Sequence, residues 1–186
     1  MKQIIFTLLC MIITTSAYAQ KILSDDTTNG TRSIITSKEN VKSGNDRIVV
    51  YAGVNLMQSG DTPTYFLSLK LSAMKHMVIS KDGRIMLKDS EGNVVTLTTS
   101  QGSYGSDMKN VGGFNLYEIN VDYPLSYEQL QQLAKGVAKI RIELDNDEPF
   151  DKEYKKDKIG KVLTTDLNLI AGALGTDKKA SFSEGF

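Results

Sequence analysis

Cysteine is almost absent from this chain, which has one, at position 10. Cys10 lies inside the apolar run 4–14, which follows Met1-Lys2 and precedes Ser16-Ala17-Tyr18-Ala19. A charged start, a short apolar run and small residues at the A-x-A positions describe a secretory signal peptide cleaved after Ala19. The run is well short of the ~20 residues a membrane span needs. Leu9 is not the small residue that a lipobox places before its cysteine, and the apolar run continues past Cys10, which argues against lipidation. The exported chain then starts at Gln20 and has no thiol, so disulfides, thiol nucleophiles and thiolate metal sites are excluded from it.

Histidine is equally scarce. His76 is the only one, and a zinc site needs three or four nitrogen or sulfur ligands. It sits beside Lys75 with no G-x-S-x-G signature nearby, so it reads as a loop histidine, not a catalytic base. Tryptophan is missing altogether, which removes the favoured sugar-stacking side chain. Charge of one sign is missing too, with 22 basic against 22 acidic residues. No global field points to nucleic acid or to an anionic membrane. No segment beyond the leader is long and apolar enough to span a bilayer. No phosphate loop is present, because Gly102-x-x-Gly105 lacks the Gly-Lys-Ser/Thr ending.

What is present is punctuated alternation. Residues 77–99 hold three short β-prone runs separated by Asp82-Gly83 and by Ser90-Glu91-Gly92-Asn93. Ile85 and Leu87 alternate with polar or longer residues, and so do Val95 and Leu97, as in a half-buried antiparallel meander. Asp82-Gly83 suits a type I′ turn, which needs positive φ at both positions. Upstream, Ile48, Val50, Ala52, Val54 and Leu56 share one strand face. The turn cluster 58–63 leads to a strand with Tyr65, Leu67, Leu69 and Leu71 inward. Residues 20–46 are polar, with one candidate edge strand at 33–36. Residues 100–113 read as a long glycine-rich loop, followed by a strand that Pro124 ends.

Ser126 and Gln129 form a capping box that opens a short helix over 126–135, with Gly136 as its stop. Residues 137–144 alternate as a strand, and 145–156 read as a polar connection. Ile159, Leu163, Leu167, Ile170 and Leu174 then recur at helical spacing, which predicts an amphipathic helix over 158–174 docked on the sheet. Gly160 should weaken its first turn by up to ~1 kcal/mol relative to Ala. Gly175 ends it, and 176–186 is expected to be a disordered tail.

Three segments, 79–88 (ISKDGRIMLK), 123–130 (YPLSYEQL) and 136–143 (GVAKIRIE), resemble small secreted β-sandwich-like proteins of Gram-negative gut bacteria, most without an assigned activity. The resemblance spans about 47–175 and rests on structural motifs. It implies a β-sandwich-like fold and carries over no site residue.

The expected fold is therefore mostly β: an antiparallel sandwich or partly open barrel of about seven to eight strands, with a short helix and a C-terminal helix. The domain spans 47–175. The acids Asp145, Asp147, Glu148, Asp151 and Glu153 read as a solvated mixed-charge loop, with weak Ca²⁺ binding as the alternative. Pro149 and Phe150 stand where an EF-hand needs Asp/Asn and Gly. Asn29-Gly30-Thr31 matches a glycosylation sequon, a tripeptide common by chance. Most tyrosines read as strand packing. Tyr104 and Met108 lie in the long loop and are the candidate partner-binding residues, because loops on rigid scaffolds often bind. The expected function is a non-catalytic periplasmic or cell-surface module that binds a protein or glycan, with no cofactor and no metal. An inhibitor or immunity-type protein acting through 100–113 is the alternative, and a carboxylate-dependent hydrolase ranks last.

Overall fold

A computed structural model describes residues 20–41, 47–105 and 107–183, without the side chains of Asp107, Met108 and residues 176–183. The expected signal peptide, Cys10 and residues 184–186 lie outside the described residues. The chain runs β1 Ile22–Thr28, β2 Thr31–Thr36, β3 Glu39–Asn40, β4 Ile48–Ser59, β5 Thr62–Ala73, β6 Val78–Ile79, β7 Arg84–Asp89 and β8 Val94–Thr98. It continues β9 Ser103–Tyr104, β10 Asp107–Val111, β11 Phe114–Leu125, α1 Tyr127–Ala134, β12 Val137–Ile142, β13 Phe150–Glu153 and α2 Ile159–Ser183. The fold is mostly β with antiparallel sheets and a C-terminal helix, as expected. Ten of its described strands have four residues or more.

The larger sheet curls into a half-barrel in the order β1-β2-β4-β5-β11-β10, with β3 also on β4. Strands β4, β5 and β11 are 12 residues each and pair in long antiparallel registers. Their alternation buries Val50, Ala52, Val54 and Leu56, then Leu67, Leu69 and Leu71, then Ile119, Val121 and Tyr123. A four-stranded sheet, β13-β12-β7-β8, contributes Ile85, Leu87, Val95, Leu97, Ile140 and Ile142 to the same apolar cluster. Leu130 and Leu133 of α1 and Ile159, Leu163 and Ile170 of α2 complete it.

Local signals explain several ends. Ser126 Oγ accepts from Gln129 N at 3.2 Å, and Gln129 Oε1 accepts from Ser126 N at 2.8 Å, the expected capping box. The β7–β8 turn is tied by Asp89, whose carboxylate accepts from Glu91 N, Asn93 N, Asn93 Nδ2 and Gln132 Nε2 at 2.8–3.0 Å. These bonds favour the charged form and hold the Asp89 carboxyl at about 2, below its ordinary value.

Elsewhere tertiary context overrides the sequence pattern. Residues 100–113 are not one loop. Ser103–Tyr104 pairs with β6, and Asp107–Val111 forms a hairpin with β11 through Gly112 (φ 58°) and Gly113 (φ 86°). Mostly polar residues become strand here because β6 and β11 offer backbone ladders. The same pairing draws β6 out of the expected three-run meander, of which only β7–β8 remains a hairpin. The N-terminal segment likewise holds a full hairpin, β1–β2. Asn29 (φ 51°) and Gly30 (φ 75°) form its two-residue turn with the double positive φ of type I′, a stronger reading of Asn-Gly than a sequon.

Asp82-Gly83 is not a type I′ turn. Asp82 alone has positive φ (69°), and Gly83 N donates to Ser80 O at 3.0 Å. Gly83 is required for space, since a Cβ there would lie 2.7 Å from Ile79 Cγ2. The connection 145–156 contains β13, which buries Phe150. Helix α2 runs through Gly175 to Ser183 instead of stopping near 174. Gly175 is not in the left-handed conformation that ends a helix.

Gly160 also has a reason that the sequence hid. A Cβ there would sit 2.8 Å from Gly136 Cα and 2.5 Å from Asp157 Oδ2. Two glycines thus let the start of α2 touch the α1–β12 connection. Asp157 Oδ1 ties both sides, accepting from Gly160 N at 2.8 Å and Val137 N at 3.1 Å.

Candidate functional site

Tyr104 and Met108 do not share a loop. Tyr104 is 68% exposed on β9 opposite Val78. Met108 lies on β10 opposite Tyr117, and its side chain lies outside the described part of the structure. Two further exposed apolar residues of this region, Val111 and Phe114, flank the glycine turn at the β10–β11 tip. His76 sits edge-on to Tyr117, with ring centroids 5.7 Å apart, and its carbonyl accepts from Asn146 Nδ2. The acids of 145–153 diverge. Asp145 accepts from Ser80, Asp147 meets Arg47 and Lys75, Asp151 meets Arg141, and Glu153 meets Lys139. Among the described residues, no three His, Cys, Asp or Glu side chains cluster as a metal site. No described helix is long and apolar enough to cross a membrane.

One concavity was not foreseen. It is an open groove of about 690 Å³ between the start of β5, helix α1 and the middle of α2. Tyr65, Tyr127, Gln131, Leu167, Asn168 and Leu174 line most of it, and none of its lining residues is charged. Tyr65 is inward on β5, opposite Leu125 of β11 and Leu56 of β4. Tyr127 opens α1 directly after its cap, which places its ring at the groove rim, 46% exposed. The two rings lie 5.6 Å apart and are tilted by 35°. Burial raises the Tyr65 hydroxyl pKa, so it stays a neutral donor. Leu167 and Leu174 are only partly buried because this groove opens beside them. The apolar stripe of α2 thus serves both the core and a concave surface.

Behind the groove, α2 carries a buried acid, Asp166, which is 0% exposed. Strand β2 stops pairing with β4 at Ile35↔Asn55, and β3 resumes at Glu39↔Ala52. The break falls at Val54, whose N–H is taken by Asp166 Oδ2 at 2.9 Å and Thr36 Oγ1 at 3.1 Å. Thr36 Oγ1 donates in turn to Val54 O at 2.8 Å. Gln20 Nε2 donates to Asp166 Oδ1 at 3.0 Å and to Val162 O at 3.1 Å. Burial pushes the Asp166 carboxyl up to about 7, against hydrogen bonds that favour the charged form. The sequence held a signal for it, since Asp166 falls three residues after Leu163 and four before Ile170, on the apolar stripe.

No family model, curated protein or solved structure matches the chain. The groove, the hairpin tip and the buried acid are therefore read on their own chemistry.

Proposed function

We propose that this chain is a non-catalytic binding module, exported to the periplasm or cell surface, that holds a neutral glycan in the groove between β5, α1 and α2. The observation that carries this reading is the groove lining: two tyrosine rings and two carboxamides, Gln131 and Asn168, with no charged side chain. Aromatic faces pack on the C–H faces of sugars, and carboxamides offer paired donors and acceptors to hydroxyls. A hydrolase reading finds no carboxylate in that groove to act as acid or nucleophile. The export step rests on the leader pattern of residues 1–19.

Neutral and acidic oligosaccharides arrayed on glass, probed with labelled protein, test the reading. Wild type should bind one or more neutral members, and Tyr127→Ala should lose them with its unfolding midpoint unchanged. Because the chain has no tryptophan, tyrosine fluorescence reports the same binding in solution. Retention by Tyr127→Ala would move the ligand elsewhere.

A second reading, an inhibitor or immunity-type protein, rests on the β10–β11 tip. Val111 and Phe114 are 56% and 60% exposed there on a two-glycine turn. Loss of a captured partner protein on Val111→Ser, Phe114→Ser, with glycan binding intact, would favour that reading.

A further inference from the structure

The outer face of the four-stranded sheet carries a charge arrangement that the groove does not explain. Ladder registers place side chains in rows across β8, β7, β12 and β13. One row reads Val94, Lys88, Lys139, Glu153, and the next reads Thr96, Met86, Arg141, Asp151. Lys88 and Lys139 are therefore direct cross-strand partners, and like charges placed so are destabilising. Two of the cations on these strands are offset on the far side of β12. Arg141 is held by Asp151 through two bonds, of 2.7 and 2.5 Å, and Lys139 meets Glu153 at 3.5 Å. Arg84 is likewise held by Glu143. The Lys88 side chain has no ion pair or hydrogen bond among the described residues.

Between these rows is a shallow depression of about 170 Å³, lined by Met86, Lys88, Val94, Lys139 and Arg141. Three of the five side chains are cationic and none is acidic. The other two are apolar, and Val94 is 57% exposed. We infer that this depression is a binding site for an acidic sugar, whose single carboxylate bridges Lys88 and Lys139 while its C–H face rests on Met86 and Val94. An oxyanion placed there converts the lysine–lysine repulsion into two charge-assisted contacts. The neighbouring carboxylates set the charge density of the ligand. Asp151 and Glu153 border the depression on β13, so a closely spaced run of carboxylates or phosphates would meet like charge. A single carboxylate matches Lys88, the lining cation that no described acid offsets. The site is separate from the groove and stands or falls independently of it.

The test is calorimetric titration of the full chain at low ionic strength with a trimer of two neutral sugars and one uronate, beside its all-neutral counterpart. Binding of the uronate trimer is expected, and it should vanish in about 1 M NaCl, where the Debye length is ~3 Å. Lys88→Gln should weaken it roughly tenfold, the loss of about 1.4 kcal/mol from one charge-assisted contact. Lys135→Gln, at the C-terminal cap of α1, should leave it unchanged. Lys88 is exposed and repelled by its partner, so Lys88→Gln without ligand should melt no lower than wild type. Three outcomes overturn the site: no binding of the uronate trimer, equal binding of the neutral trimer, or an affinity that ignores Lys88→Gln. Tighter, Lys88-dependent binding of a poly-glutamate peptide would also overturn it, in favour of an acidic peptide.

Discussion

The backbone N–H of Val54 donates to the carboxylate Oδ2 of Asp166, 112 residues away, at 2.9 Å. This bond repairs an interruption in a sheet edge with a side chain from a helix. A buried amide left unpaired there would cost about 1–3 kcal/mol. The same carboxyl accepts from Gln20, so the start of the described chain, the β2/β3 break and α2 meet at one group.

Asp166 should make stability depend on pH in an unusual direction. Its folded-state pKa is raised to about 7 from an ordinary 3.8. Between those values the folded state keeps a proton that the unfolded state has released. Stability contributed by the protonated form therefore falls as pH rises from ~4 to ~7, and then levels off. Urea unfolding should show a loss of about 2–3 kcal/mol between pH 5 and pH 8 in wild type relative to Asp166→Asn. Parallel profiles for the two proteins would refute it.

On α2, two leucines of one stripe should behave differently. Leu163 is fully buried, and Leu163→Ala should cost ~2–5 kcal/mol. Leu167 borders the groove and is only partly buried, so Leu167→Ala should cost about 1 kcal/mol. Equal shifts in the denaturation midpoint would mean that the groove is closed in solution.

Tyr123 is fully buried, and its hydroxyl has no hydrogen-bond partner among the described residues. Burial raises its pKa, so it stays neutral. Tyr123→Phe removes an unsatisfied polar atom and keeps the ring, so it should stabilise by about 1 kcal/mol. A destabilised Tyr123→Phe protein would reveal a partner for the hydroxyl, such as a buried water.

Gly160→Ala raises helix propensity by ~1 kcal/mol, yet its Cβ would lie 2.8 Å from Gly136 Cα. Backbone cannot move aside as a flexible side chain does, so net destabilisation of about 1–3 kcal/mol is expected. A melting temperature at or above wild type would show that α2 shifts freely at its start.

Tyr104→Ala should leave stability within about 0.5 kcal/mol, because the ring is largely exposed. If Tyr104→Ala also keeps partner capture while Val111→Ser, Phe114→Ser loses it, contact in this region belongs to the hairpin tip. The reverse pattern would restore Tyr104 as the binding residue.

Period and punctuation alone determined a good deal of this protein. The alternation of Ile48–Leu56, of Tyr65–Leu71 and of Ile119–Tyr123 required half-buried strands, because side chains on a strand alternate faces. Ser126 and Gln129 determined the start of α1 through bonds local to one turn. The stripe from Ile159 to Leu174 required a docked helix. Each signal works within a few residues, which is why it survives in a linear reading.

Only the tertiary structure decided where strands pair and what they leave open. Ser103–Tyr104 and Asp107–Val111 became strand because β6 and β11 offered ladders, a choice made by pairing partners and not by local pattern. Asp166 is tolerated on an apolar stripe because the β2/β3 break presents to it an amide left out of the strand ladder. The groove exists because Tyr65 on β5, Tyr127 on α1 and Leu167 on α2 converge, and the lysine pair exists because β7 and β12 align Lys88 with Lys139. Concavity and charge juxtaposition are properties of distances between elements, and no local pattern encodes those distances.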